Sequence, residues 1–283
     1  MSKILIAEDD GPTRVLVEAI LEDAGYTTEI VTDGKKAYDR IATTPFDLLL
    51  TDIWMPGLNG LELLSKVKTL PSPPPVIVMT SDDTSDTLLK AIREQAYHYI
   101  PKPIDPQELT RLVQDGLSAS RQETFIEVTS ATPNWVELLV PCDQKSAGRM
   151  RNFVMQLEAG LPEDLRETIA MSFYELLANA IEWGGQLDPS KKVRIAFLRF
   201  ERMLMFRIAD PGSGFDMEEL EHAALNNPDD PIAHMSVREN RGLRPGGFGL
   251  LMVKTSADEL IYNEARNEVA FVKYLDLPKD TNR

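Results

Sequence analysis

Five residues at the ends of apolar runs stand out for their chemistry: Glu8 and Asp9, Asp52, Thr80 and Lys102. Three carboxylates gathered in one place repel each other unless a cation lies among them, and Mg2+ prefers such oxygen ligands with water completing its shell. An aspartate in that setting can attack a phosphoryl group and become an aspartyl phosphate. A lysine then neutralises the transferred oxygens and a hydroxyl donates to one of them. Asp52, Lys102 and Thr80 have those chemistries. A second set lies further along. Glu175 and Asn179 are four residues apart, so on a helix they share one face, a carboxylate base beside an amide that can hold a metal. In Asp210-Pro211-Gly212-Ser213-Gly214 the glycines let backbone approach a flat ligand, and Asp210 can accept a hydrogen bond from an amino group. Gly246-Gly247-Phe248-Gly249 opens a helical stretch whose free N–H groups can hold phosphate.

Singly, each residue has a plainer role: Asp10 a helix cap, Thr80 a strand-end hydroxyl, Lys102 a surface charge, Asp210 to Gly214 a turn, Glu175 and Asn179 a solvated helix face. The weight lies in the ordered sets.

The elements that would position the first set are short apolar strands at residues 3–7, Thr28 to Val31, Phe46 to Leu50, Val76 to Thr80 and His98 to Ile100. Helical spacing follows each of them: Val15, Ala19 and Ile20 up to Gly25, then Lys35 to Ile41, Gly60 to Leu70, Asp86 to Gln95 and Pro106 to Ser118. The Pro56-Gly57 and Asn59-Gly60 pairs force turns directly after Asp52. Five strand-then-helix units predict an α/β fold, a doubly wound parallel sheet with five strands and its polar residues at the strands' carboxyl ends. Residues 119–133 are rich in Ser, Thr, Gln and Glu and read as a linker. The second half predicts an α+β sandwich. Its strands are expected at Trp135 to Val140, Val193 to Phe200 and Leu204 to Ala209, with a closing hairpin of Glu259 to Asn263 and Glu268 to Leu275; its helices are expected at Ala147 to Leu157, Pro162 to Trp183 and Gly247 to Ala257.

The chain has 283 residues, 43% hydrophobic and 27% charged, and a net charge of −15, the balance of a globular protein with two cores. Residues 1–120 hold 11 Lys and Arg against 19 Asp and Glu, a net −8 that leaves −7 for the remainder. Neither half offers the cations that duplex DNA demands, so direct DNA binding is not expected. Cys142 has no partner for a disulfide or a metal and reads as structural. No apolar span reaches membrane length and the first residues are too short for a signal peptide, so the expectation is a cytoplasmic protein with no membrane contact. His98, His222 and His234 lie outside any helical hairpin of the kind a sensor kinase needs to carry a phosphoacceptor histidine.

In its first half the chain resembles the response-regulator receiver family, over about residues 1–118. Lys3 to Asp10 (KILIAEDD), Asp47 to Leu64 (DLLLTDIWMPGLNGLELL), Val76 to Ser81 (VIVMTS) and Tyr99 to Ile104 (YIPKPI) carry the resemblance. It implies Asp52 as phosphoacceptor, Glu8 and Asp9 with Asp52 around Mg2+, Lys102 as phosphate partner, Thr80 as the hydroxyl, Tyr99 as an aromatic switch and a cis Lys102-Pro103 bond. Glu8 stands where the family more often has Asp. The second half, 134–277 ahead of a tail at 278–283, resembles the ATP-binding domain shared by histidine kinases, gyrases and the Hsp90 chaperone, and most of all the anti-sigma-factor serine kinases. Glu175 to Gly184 (ELLANAIEWG), Ile208 to Asp216 (IADPGSGFD), Gly246 to Leu260 (GGFGLLMVKTSADEL) and Tyr262 to Leu275 carry that likeness. It implies ATP as ligand, Asn179 on Mg2+, Asp210 with Gly212 and Gly214 at the adenine, Gly246, Gly247 and Gly249 at the phosphates, and Glu175 as general base. Trp183 departs from the histidine common there, and the stretch 216–245, with Arg238, Arg241 and Arg244, is long for a lid.

Together the resemblances imply a two-component response regulator whose phosphorylation, by an upstream histidine kinase or another phosphodonor, modulates a protein serine kinase acting on an anti-sigma-factor antagonist. The alternative is a non-catalytic, ATP-dependent partner switch that binds a sigma factor or other regulator. Either is compatible with a homodimer, and the sign of the modulation is not legible.

Overall fold

The central apolar runs become parallel strands here because both of their faces are covered, while the edge strand β2 (Thr27–Val31) is polar and only partly buried. The strands are β1 (Lys3–Ala7), β2 (Thr27–Val31), β3 (Leu48–Asp52), β4 (Val76–Thr80) and β5 (His98–Pro101), in the order β2-β1-β3-β4-β5. The computed structural model describes residues 2–81, 84–118, 126–132, 134–158, 160–214 and 249–275. The chain forms two compact units, Met1–Glu123 and Thr124–Arg283.

In the first unit the helices α1 (Gly11–Asp23), α2 (Gly34–Thr43), α3 (Gly60–Val67), α4 (Ser85–Arg93) and α5 (Pro106–Leu117) follow the strands in turn. Each start is capped by a side-chain oxygen from Asp10, Asp33, Asn59, Thr84 or Asp105, and Asn59 with Glu62 forms a reciprocal capping box. Alternation along the strands divides the core in two. Leu5, Leu49 and Val78 pack with α2 and α3 residues Ile41, Leu63 and Val67, while Ile6, Leu50 and Met79 pack with Val17 of α1 and Leu109 and Val113 of α5. At the β2 edge, Glu29 accepts two hydrogen bonds from Arg40, at 2.5 and 2.9 Å, and one from Lys3 at 3.0 Å. The guanidinium hydrogen bonds hold its carboxyl down at about 2.

The second unit contains β6 (Glu127–Thr132), β7 (Trp135–Pro141), α6 (Gln144–Leu157), α7 (Glu163–Asn179), β8 (Lys192–Phe200), β9 (Met203–Ala209), α8 (Gly249–Ser256), β10 (Glu259–Tyr262) and β11 (Glu268–Tyr274). The strands make one antiparallel sheet ordered β10-β11-β9-β8-β7-β6. Phe173 of α7 meets Phe206 of β9 edge-on, with ring centroids 5.2 Å apart, and Phe206 stacks on Phe271 of β11 at 4.5 Å. These three rings are fully buried and join helix layer to sheet. Glu158, at the carboxyl end of α6, is also buried; burial pushes its carboxyl up to about 7 against the opposing charge of Arg199, whose Nε lies 3.3 Å away.

Three expectations need correction. The linker 119–133 is not wholly a linker, because Glu127–Thr132 is the edge strand β6, paired to β7 with an irregularity between Val128 and Ser130. Its outer face needs no apolar residues, so the polar composition conceals a strand. The strand before the phosphoacceptor candidate runs Leu48–Asp52 rather than Phe46 to Leu50, since Asp47 is drawn off to accept the Lys3 N–H at 2.7 Å. The long helix is α-helical only to Asn179; Ala180–Gly184 is a π-helical turn, closed by Gly185 N–H to Ala180 C=O at 2.8 Å. The expected tail 278–283 lies outside the described residues. Among the described residues no helix is long and apolar enough to cross a membrane.

Candidate functional site

The first cluster is assembled by strand ends. Glu8 directly follows β1, Asp52 ends β3, Thr80 ends β4, and Lys102 directly follows β5. The neighbouring strands' register brings them to one edge, and the Lys102 N–H donates to Thr80 C=O at 2.8 Å. Ligand oxygens of Glu8, Asp9 and Asp52 lie within 4.8 Å of one another. Lys102 Nζ is 2.9 Å from Glu8 Oε2 and 3.1 Å from Asp52 Oδ1. Glu8, Asp52 and Thr80 are buried and Asp9 is exposed. Burial raises both the Glu8 and Asp52 pKa values, with Lys102 opposing. Burial by itself would depress Lys102, but the two carboxylates outweigh it and its pKa is raised. Glu8 Oε2 is buried and paired with the Lys102 ammonium. Three clustered carboxylates with a single ammonium among them are an oxygen donor set that fits a divalent cation, and Glu8, Asp9 and Asp52 are the residues that would hold it. Tyr99, on β5 beside Val78, is half-buried against the α2–α3 side of the core, and the Lys102-Pro103 bond is cis.

The second cluster comes from helices and turns. Glu175 and Asn179 lie on the last two turns of α7. An α-helix would continue their face at position 183, but the π-turn inserts one residue, so Gly184 takes that place, five residues after Asn179. Gly184 is packed so closely on Asp210 that a Cβ there would lie 2.1 Å from Asp210 Oδ1. Asp210 follows β9; its carboxylate accepts the Gly212 N–H at 2.7 Å, and its pKa is raised by burial in spite of that bond. Gly214 has φ +90° and backs onto Ala265 C=O, a conformation and a clearance that only glycine allows. Asn267 braces this loop, accepting the Asp210 N–H on its carbonyl at 2.8 Å and donating from Nδ2 to Gly212 C=O at 2.9 Å. A Cβ on Gly249 of α8 would fall 2.1 Å from Glu175 Oε2, so the carboxylate abuts this helix.

A family described as the response regulator receiver domain matches residues 4–114, and one described as the histidine kinase-like ATPase domain matches residues 140–273. The chain is a receiver domain followed by a histidine-kinase-like ATPase domain. The DNA-binding transcriptional regulator NtrC of Salmonella typhimurium is 33% identical over 136 residues, 47% of this chain and 29% of that one. The response regulator ArlR of Staphylococcus saprophyticus is 31% identical over 45% of this chain and 58% of its own. A solved CheY-like receiver from Methanospirillum hungatei is 30% identical, covering 41% of this chain and 94% of that chain, with a TM-score of 0.40. The chain thus spans under a third of the length of its NtrC relative.

The receiver domain brings its expected residues to one edge except Tyr99, which is level with Val78, two strand positions before the Thr80–Pro101 pair. In the ATPase domain, Asp210 and Gly212 form one tight group and Gly214 extends the same loop, while Glu175 meets Gly249 in a second group; Gly246 and Gly247 lie outside the described residues, as do Arg238, Arg241 and Arg244. Sequence reasoning missed Gly184 and Asn267. The Trp183-Gly184-Gly185 run after a helix was the available signal for the first; Asn267, in a hairpin turn, gave none.

Proposed function

We propose that this protein is a two-component response regulator in which phosphorylation of Asp52 modulates an ATP-dependent protein serine kinase, whose substrate is an anti-sigma-factor antagonist. In the receiver domain an Asp52 carboxylate oxygen attacks the phosphorus of a phosphohistidine or another phosphodonor. The P–N or P–O bond breaks and the donor's leaving group keeps its electron pair. Lys102 then faces the transferred oxygens and Thr80 donates its hydroxyl to one of them. Mg2+ on Glu8, Asp9 and Asp52 would supply further charge neutralisation.

In the ATPase domain Asp210 is set to accept the base amine of ATP, and Asn179 to hold Mg2+ among the phosphates. Glu175 takes the proton of a substrate serine as that oxygen bonds to the γ-phosphorus and the bond to ADP breaks. The observation that carries the kinase reading is the Glu175 carboxylate abutting Gly249, a base lying against the glycine stretch that the resemblance assigns to the phosphates. Added charge at Asp52 biases the output as other phosphorylation switches do, through a two-state element.

Transfer from γ-labelled ATP into a lysate of source cells lacking this protein tests the proposal, with wild type against Glu175→Ala. A wild-type-only, acid-stable phosphoserine on a small protein is the expected product. ATP binding with no such product would favour the non-catalytic partner switch.

A further inference from the structure

The main chain of Asp210 and its carboxylate are tied into one ring of hydrogen bonds, and Asn267 closes it. The Asp210 N–H donates to Asn267 C=O at 2.8 Å, Asn267 Nδ2 donates to Gly212 C=O at 2.9 Å, and the Gly212 N–H returns to Asp210 Oδ1 at 2.7 Å. The first of these extends the β9–β11 ladder one step past the Ala209–Glu268 pair, so the ring is anchored on the sheet. The amide that spans it is itself held. Asn267 Oδ1 accepts from Asn263 Nδ2 at 2.8 Å, and Asn263 Oδ1 accepts the Glu268 N–H at 3.2 Å. The same turn also meets the far end of the loop, where Ala265 C=O leaves Gly214 no room for a Cβ. Asn suits the ring because its amide offers a donor to Gly212 and an acceptor to Asn263 at once, whereas Asp has no donor and Ala has neither. On the pocket side Gly184 crowds Asp210 Oδ1. Among the described residues the Gly212 N–H is the hydrogen bond that the Asp210 carboxylate accepts, so Oδ2 can accept from a ligand.

We infer that Asn267 is the positioning residue for the nucleotide base: through Gly212 it fixes the direction of the Asp210 carboxylate, and so sets how strongly the domain prefers a base that carries an amino group. The inference rests on the reading of Asp210 as the acceptor for that amine. A carboxylate held at both root and tip meets an N–H without first having to be ordered, and a site built around such a bond rejects the analogue that lacks the donor. Without the Asn267 amide, Gly212 C=O loses its partner, the loop slackens, and the ligand must order the carboxylate itself. The turn between β10 and β11 thus shapes base recognition from outside the pocket.

Equilibrium titration of the full chain in Mg2+ tests this with no catalytic readout, using ATP and purine riboside 5′-triphosphate, which differs from ATP only in lacking the amine. Wild type is expected to bind ATP about tenfold more tightly than the analogue. Asn267→Ala is expected to weaken ATP about fivefold and leave the analogue's affinity unmoved, so that the preference falls to about twofold. Asn263→Ala, a change at an exposed residue, should narrow the preference in the same direction and by less. The inference is overturned if Asn267→Ala keeps the wild-type preference, or if it weakens both ligands alike, as a merely structural residue would. Should Asn267→Ala bind neither ligand, Asn263→Ala decides: a narrowed preference upholds the inference and an unchanged one overturns it. Equal binding of both ligands by wild type would instead remove the Asp210 reading, and the inference with it.

Discussion

The receiver domain gathers its chemistry from the ends of parallel strands, the ATPase domain from two helices and a turn, and the two sites differ electrically as a result. At the receiver edge one ammonium lies among three acids, so binding there is governed by charge. Asp210 sits instead in a nest of glycine backbone, with a single N–H bond on its carboxylate, so shape and hydrogen bonding govern. Strand ends are fixed by the whole sheet, whereas the ATPase site depends on how α7, α8 and the β9 turn pack. Perturbing charge should therefore disturb the first site, and perturbing packing the second.

The sharpest test of that contrast is Asp52→Asn. Incubated with a small phosphodonor and Mg2+, this variant should take up no phosphoryl group by intact mass, a complete loss, while ATP affinity stays at the wild-type value. A parallel fall in ATP affinity would mean the sites are not separable. Next in size is Phe206→Ala, which removes the ring between Phe173 and Phe271 and should cost the ATPase domain about 3–5 kcal/mol. Calorimetry should show its unfolding transition shifted down with the receiver transition unmoved.

Two carboxylates should give the domains opposite pH slopes. Glu158 is raised to about 7, so its native form holds a proton more tightly than the unfolded chain does. Its stabilisation is full below the unfolded value of 4.5 and is lost as pH rises through 7. Glu158→Gln should accordingly flatten that decline and be the more stable form at pH about 8, by on the order of 2 kcal/mol. Equal pH profiles for the two proteins would remove Glu158 as the cause. Glu29 runs the other way: lowered from 4.5 to about 2, it stabilises above the first value and loses that contribution as pH falls through the second. Because Glu29 is partly exposed, Glu29→Gln should cost the receiver only about 1 kcal/mol at neutral pH. Denaturant midpoints should converge with wild type near pH 2, and a constant gap down to that pH would contradict the assignment.

The receiver was almost wholly legible because its central strands are apolar runs that end in the residue that matters, as in Leu48 to Asp52 and Val76 to Thr80. Side-chain period and chemistry coincide there, so one reading gives both fold and candidate site. The ATPase motifs were legible as spacing, since Glu175 and Asn179 share a face and Asp210 follows a strand, but their meeting points were not. Nothing local in Gly249 announces Glu175, far away in sequence order, nor does Gly184 announce Asp210; those approaches exist only once helices pack. The π-turn escaped for a related reason. Its one-residue surplus leaves apolar spacing in Ala180 and Ile181 almost unchanged while redirecting everything after it.

Strand β6 bears on how this molecule can be divided. The ATPase family match begins at residue 140, and polar composition alone would set the boundary near 134. A fragment started at 140 would lose most of β7 itself, and one started at 134 would lack Glu127–Thr132, strip the β6 partner from β7 and remove the Glu127 partner of Lys192. In the fragment started at 134 the bared β7 edge, with Val136, Leu138 and Val140 on that strand, would be a template for intermolecular pairing, and this fragment should be recovered as aggregate. Starting ahead of Ile126 keeps the sheet's natural border, so the segment that looks most dispensable in the sequence is the selvedge that stops the sheet from fraying.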